Sequence, residues 1–200
     1  MLENKYEKLA YKENKLVMGI DEAGRGPLCG PLVVACCIFP KGYKNDEIND
    51  SKKLSDKKRR ELFKVICNDA LFYSIEIVPP KEIDRLNILE ATRSAMQKLS
   101  LKHKADYVLT DAVEIKNKKN IPIIKGDAKS ISIAGASILA KVVRDSIMIG
   151  LDILYPEYEY RKHKGYPTKR HMELIKKYGV FDIYRFSYKP VINCKKVRNF

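Results

Sequence analysis

Two hundred residues with 45% hydrophobic content are enough for one sizeable domain that needs no disulfide or metal staple. The formal charge of +14 and a pI near 9.5 favour a polyanionic partner, most simply nucleic acid, although a Lys-rich background composition would give the same numbers. Cys29, Cys36, Cys37, Cys67 and Cys194 are odd in number and form no CxxC pair, so neither a zinc knuckle nor a disulfide framework is indicated; no signal-type core or apolar run of about eighteen residues is present, so the expectation is a cytoplasmic chain with no membrane span.

Residues 1–14 are polar and are expected to fray or to form a short helical lead-in. Leu16, Val17, Met18 and Ile20 then read as a buried strand. It stops at Asp21 and Glu22 and breaks into Gly24, Gly26 and Gly30, which permit positive φ and close approach of a ligand to the main chain. On these residues alone, a functional site and a charged surface turn fit equally well. A dinucleotide-binding fingerprint needs glycine where Cys29 stands and a helix directly afterwards. Instead, Pro31–Phe39 is continuously apolar and β-branched, as suits a strand buried on both faces. No GxxxxGK[ST] phosphate loop occurs.

Lys41 to Lys53 is a polar loop, after which Ser55 and Asp56 cap a helix running to about Asn68, with Leu62, Phe63, Val65 and Ile66 inward. Ala70–Val78 reads as a strand closed by Pro79 and Pro80. A second helix starts at Asn87, with Ile88, Thr92, Ala95, Met96 and Leu99 on one stripe. Asp106–Asp111 is a short strand that again ends in a carboxylate, and Ile121–Ile124 is another strand. Between Lys129 and Gly150 lies the most apolar helix, on which Ser137, Lys141 and Asp145 form one polar line, either a solvent-facing edge or part of a site. Beyond Tyr155-Pro156 the chain turns basic and aromatic: Tyr160–Phe200 holds twelve Lys/Arg against Glu173 and Asp182, or +10. Its amphipathic helix is capped by Thr168 and ended by Gly179. Basic groups interleaved with tyrosines suit phosphates plus a sugar or base face, and a solvated Lys-rich surface would look alike.

The alternation implies an α/β protein, a mixed sheet covered by helices, forming one domain over residues 1–200 with a basic helical annex from about residue 156. Asp21 and Asp111 would end neighbouring strands, with Asp145 approaching from the helix above. Carboxylates gathered without histidines suit magnesium or manganese. Two such ions about 4 Å apart would stabilise the attacking and leaving oxygens of phosphodiester hydrolysis. Adjacent strand residues face opposite ways, so Asp21 and Glu22 share a site only if the chain turns there. A catalytic triad, a pure nucleic-acid binder and a small-molecule phosphohydrolase explain less of the chain.

In order along the chain, DEAGRGPLCGP (21–31), DSKKLS (50–55), NILEAT (87–92), ASILAKVVRD (136–145) and HKGYPTKRH (163–171) resemble bacterial ribonuclease HII, a type 2 ribonuclease H, over about Val17 to Val191. The resemblance implies an RNase H-like fold. It also implies a monomeric, Mg2+- or Mn2+-dependent endonuclease acting on RNA·DNA hybrids and on duplex DNA containing single ribonucleotides. The cut falls 5′ to the ribonucleotide, leaves 3′-hydroxyl and 5′-phosphate ends, and initiates ribonucleotide removal. Asp21, Glu22, Asp111 and Asp145 match the metal-binding carboxylates. Gly24, Arg25 and Gly26 match the turn reading the ribose 2′-hydroxyl, and Tyr166 matches the tyrosine that stacks on the following deoxyribose. Lys52, Ser137 and Lys141 match polar positions placed near phosphates. Ala112 stands where glycine is common, and Tyr184 and Tyr188 stand where His and Phe are usual. The sister family, ribonuclease HIII, carries an extra N-terminal domain and lacks the Gly-Arg-Gly turn, so type HII fits better.

Overall fold

The structure is a computed structural model that describes residues 2–117, 119–194 and 196–198; Lys195, counted in the basic tail, lies outside them. The chain divides into two compact units: Met1–Ala23, Val33–Glu76 and Thr92–Val142 form the first, and Gly24–Leu32, Ile77–Ala91 and Val143–Phe200 form the second.

The first unit is organised on a five-stranded sheet. Its strands are β1 (Val17–Ala23), β2 (Leu32–Ile38), β3 (Phe72–Val78), β4 (Tyr107–Asp111) and β5 (Asn120–Ile123), in the order β3-β2-β1-β4-β5. β2 pairs antiparallel with β1, and β4 runs parallel to both β1 and β5, so the sheet is mixed. All of β2 is buried, as its unbroken Leu-Val-Val-Ala-Cys-Cys-Ile run requires of a strand covered on both faces. β1 does not stop before its acids: Asp21 lies opposite Ala35 and Glu22 opposite Val34. On its other side Ile20 lies opposite Thr110, so Asp21 and Asp111 follow at the same level of adjacent parallel strands.

The polar lead-in forms helix α1 (Lys5–Lys12), and it has a task. Asn4 Oδ1 accepts from Ile131 N (2.8 Å), and Glu7 Oε1 accepts from Ser132 N (3.2 Å) and Ser130 Oγ (2.5 Å). They satisfy the first amides of the long helix, numbered α5 below, and set a carboxylate against its positive end. Helix α2 (Asp56–Asp69) starts at Ser55, whose hydroxyl accepts from Lys58 N; Leu62 and Ile66 are buried, while Phe63 and Val65 are only half-buried.

Pro79 and Pro80 do more than close β3. Pro80 opens a helix absent from the sequence reading, α3 (Pro80–Leu86), because proline at the first helical position loses no hydrogen bond there. Asn87 then takes φ 68° and caps α4 (Ile88–Ser100), accepting from Leu89 N and Glu90 N. Helix α5 (Ile131–Leu154) extends beyond the expected Gly150. Its polar line is no solvent edge, since Ser137 and Asp145 are buried and Lys141 is half-buried.

The second unit closes over an aromatic core in which Leu28, Cys29, Met148, Tyr158, Tyr160 and Tyr184 are buried. Its helices include α6 (Tyr160–His163), α7 (Lys169–Tyr178) and α8 (Lys189–Ile192). Thr168 caps α7 by accepting from His171 N, and Gly179 follows its end. All five cysteines are free thiols, three of them buried.

Candidate functional site

Among the described residues, three carboxylates converge: oxygens of Asp21, Asp111 and Asp127 lie within 4.8 Å of one another. Asp21 comes from within β1, two residues before its end, and Asp111 is the last residue of β4. Asp127 comes from a short 310 turn, Gly126–Ala128, that follows β5. That turn is tied to the site, because Gly126 N donates to Asp111 Oδ1 at 2.8 Å. Burial pushes the Asp21 carboxyl well above its usual range, and the neighbouring charges of Glu22 and Asp111 add to the shift. Burial also raises Asp127, helped by Asp111 and opposed by Lys52. Ionised carboxylates this close together repel one another and are poorly solvated where buried, and a divalent cation relieves both penalties. An all-oxygen donor set with no nitrogen or sulfur fits a hard ion of the magnesium or manganese type.

The neighbours serve these acids. Ser137 hydrogen-bonds Asp21, and its hydroxyl lies 2.9 Å from that of Ser51. Lys52 Nζ reaches Asp127 Oδ2 at 3.3 Å while its side chain stays 77% exposed, so it stands beside the acids and remains open to a solvent-borne anion. Ser51 and Lys52 come from a 310 turn that Asp50 caps through Lys52 N. Glu22 donates its main-chain N–H to Asp21 Oδ1 at 2.7 Å, and its side chain is half-buried.

Of the four expected carboxylates, Asp21 and Asp111 are members of the converging group, and Glu22 and Asp145 are not; Asp127 is. Asp145 sits far along α5 in the second unit, where it is buried and exerts an electrostatic pull on Arg144. Asp127 escaped the sequence reading because a turn residue has no periodic signature. The available signal was an acid in a Gly-Asp turn soon after a strand that follows the one ending at Asp111.

In the second unit the glycine turn and Tyr166 are neighbours. Gly24 takes φ 102°, and Arg25 and Gly26 are exposed. A Cβ on Gly26 would lie 3.5 Å from the Tyr166 ring. That ring is 41% exposed and stands 5.9 Å from the Arg144 guanidinium carbon.

A buried histidine pair supports the tyrosine. The His163 and His171 rings stack at 4.1 Å. Gly165 N donates to His163 Nδ1, which leaves Nε2–H to donate to Tyr158 O. His171 Nδ1–H donates to Tyr166 O, and its Nε2 accepts from Tyr184 Oη, which accepts in turn from Tyr160 Oη. Both rings are therefore neutral. Burial and the His163 neighbour bring the His171 pKa from 6.5 down to about 4, and burial lowers His163 as well.

Between those two values the unfolded chain binds a proton that the folded chain refuses, so stability is complete above pH 6.5 and is lost as pH falls toward 4. Acidification to pH 4.5 is expected to cost about 3 kcal/mol through this group. Urea melts of the wild type and of His171→Gln at pH 7.5 and pH 4.5 check this. An equal pH dependence in the two proteins contradicts it.

The sequence profile of the family described as Ribonuclease HII matches residues 18–191. A ribonuclease HII of Caldanaerobacter subterraneus is 53% identical over 188 residues, covering 92% of this chain and 78% of that protein. One of Clostridioides difficile is 54% identical over 190 residues, covering 92% of this chain and 74% of that protein. The crystal structure of ribonuclease H2 from Pyrococcus horikoshii superposes with a TM-score of 0.75 at 29% identity, covering 90% of this chain and 97% of the other.

Proposed function

The chain belongs to the ribonuclease HII family, whose members are divalent-metal-dependent endoribonucleases acting on RNA in RNA·DNA hybrids, and from that premise we propose a more specific activity for it. It incises duplex DNA on the 5′ side of a single embedded ribonucleotide, leaving 3′-hydroxyl and 5′-phosphate ends, and so initiates ribonucleotide removal during replication and repair. The carrying observation is the convergence of the Asp21, Asp111 and Asp127 oxygens within 4.8 Å.

These three, with Glu22, would hold Mg2+ or Mn2+. When bound, such ions supply charge stabilisation to the attacking and leaving oxygens of the scissile phosphodiester. Asp127 takes the place that the sequence reading gave to Asp145. Ser137 keeps the Asp21 carboxylate oriented, Lys52 offers an ammonium to the neighbouring phosphate, and Lys141 supplies a further cation from α5. The turn of Gly24, Arg25 and Gly26 reads the 2′-hydroxyl, the one group that separates RNA from DNA at a given position. Tyr166 offers its ring face to the following deoxyribose. The working state is a cytoplasmic monomer; no described helix is long and apolar enough to cross a membrane.

The test is nicking of matched duplexes carrying one or four ribonucleotides, in magnesium and then in manganese, with the ends mapped. The expected result is a single cut 5′ to the lone ribonucleotide. A protein that cuts only the four-ribonucleotide duplex is instead of HIII type, and one that shifts both duplexes without cutting is a binder.

A further inference from the structure

The turn at Gly24 to Gly26 is held from behind by a cation that the chemistry above does not use. Arg185 is 0% exposed. Its Nη2 donates to Gly24 O (2.6 Å) and Gly30 O (3.0 Å), its Nε to Gly30 O (3.2 Å), and its Nη1 to Arg25 O (2.9 Å) and the Tyr188 hydroxyl (3.1 Å). The Tyr188 hydroxyl donates in turn to Arg25 O at 2.7 Å. Arg25 O thus receives two donors, and one planar guanidinium gathers three carbonyls of the loop.

The segment carrying this clamp is itself pinned. Asp84 accepts from Phe186 N and Ser187 N, both at 2.9 Å, and the Arg185 guanidinium carbon stands 5.3 Å from the centre of the Tyr188 ring. A second buried arginine backs the turn, since a Cβ on Gly24 would stand 2.1 Å from Arg144 Nε, which donates to Pro31 O.

Burying a guanidinium against neutral carbonyls is a poor source of stability, because desolvation opposes it and, among the described residues, its hydrogen-bond acceptors are carbonyls and the Tyr188 hydroxyl. What it fixes is direction. In a trans peptide the C=O and the following N–H point opposite ways. Holding Gly24 O and Arg25 O inward therefore presents the N–H groups of Arg25 and Gly26 outward, at the two exposed residues of the turn.

We propose that Arg185 and Tyr188 are positioning residues that preset this turn for a ribose hydroxyl, so that recognition of the ribonucleotide draws on a turn already ordered before substrate arrives. The inference rests on the reading that the turn contacts the sugar. It is tested with Tyr188→Phe, which removes one hydroxyl, and Arg185→Lys, which keeps the charge but cannot bridge three carbonyls.

Two measurements separate the possibilities. The first compares KM for a one-ribonucleotide duplex with the inhibition constant of the same duplex made wholly of DNA. Tyr188→Phe is expected to raise KM about threefold to tenfold and Arg185→Lys about tenfold or more, with the all-DNA inhibition constant unchanged. A merely structural defect lowers the active fraction and hence kcat alone. The second reads the free protein: 15N order parameters of the Arg25 and Gly26 amides should fall in both variants. Unchanged order parameters overturn the clamp. So does a KM that stays within twofold, or one that moves in step with the inhibition constant. If wild-type enzyme binds the two duplexes equally while the order parameters fall in the variants, the clamp stands and the sugar-reading role of the turn fails.

Discussion

Asp127→Asn enzyme is expected to lose cleavage of a ribonucleotide-containing duplex by about a hundredfold or more, and Asp21→Asn likewise, while both still bind the duplex. Asparagine keeps the shape and one oxygen of each side chain but removes a negative charge from a group of three whose oxygens lie within 4.8 Å. The loss should therefore fall on metal-dependent kcat, with a raised manganese requirement, and only weakly on the KM for nucleic acid. Asp145→Asn is the informative contrast. It removes a buried charge beside Arg144, outside the converging group, so thermal stability should fall while cleavage stays within about tenfold of wild type. The reverse ranking in steady-state assays, with Asp145→Asn dead and Asp127→Asn active, would give the fourth ligand position to Asp145.

Gly19→Ala is expected to destabilise the protein by about 3 kcal/mol or more, lowering Tm by about 6 °C or more. Gly19 lies mid-strand in β1, with Cys37 opposite on β2 and Leu109 opposite on β4. A Cβ there would stand 2.0 Å from Ser132 C and 2.3 Å from Ile133 N, in the first turn of α5. Those are main-chain atoms that no rotamer change can move, so strand and helix must separate. The same helix start is capped by Glu7 of α1 and by Asn4 just before it, so displacing it also breaks those hydrogen bonds. Denaturant melts and scanning calorimetry measure the effect; a stability within 1 kcal/mol of wild type would show that α5 approaches β1 less closely.

Much of this organisation was legible in the residues. Period and punctuation gave the strands at Val17, Leu32 and Tyr107 and the caps at Ser55, Asn87 and Thr168, because each depends on local chemistry. The paired acids and Asp111 stood out as carboxylates ending apolar runs. Three things were less legible. Pro80 was read as a terminator when it opens a helix, since proline serves both uses and only the downstream packing of buried Ile83 decides. Asp127 sat in a turn with no periodicity, whereas Asp145 advertised itself on a helical line. A net charge does not say which cations are available, and here Arg185 is fully buried and Arg161, Lys162, Arg170 and Arg198 pair with acids. Tyr184 and Tyr188, noted as departures from the usual His and Phe, prove to carry hydroxyls into two hydrogen-bond networks, a buried one under Tyr166 and a partly exposed one at Arg25.

The most direct measurement is anomalous diffraction from crystals of the protein soaked in manganese. A metal centre built by the first unit's carboxylates requires a peak within coordination distance, about 2.2 Å, of oxygens from Asp21, Asp111 and Asp127. A peak ligated by Asp145 without Asp127, or no peak at the three converging carboxylates, would contradict it.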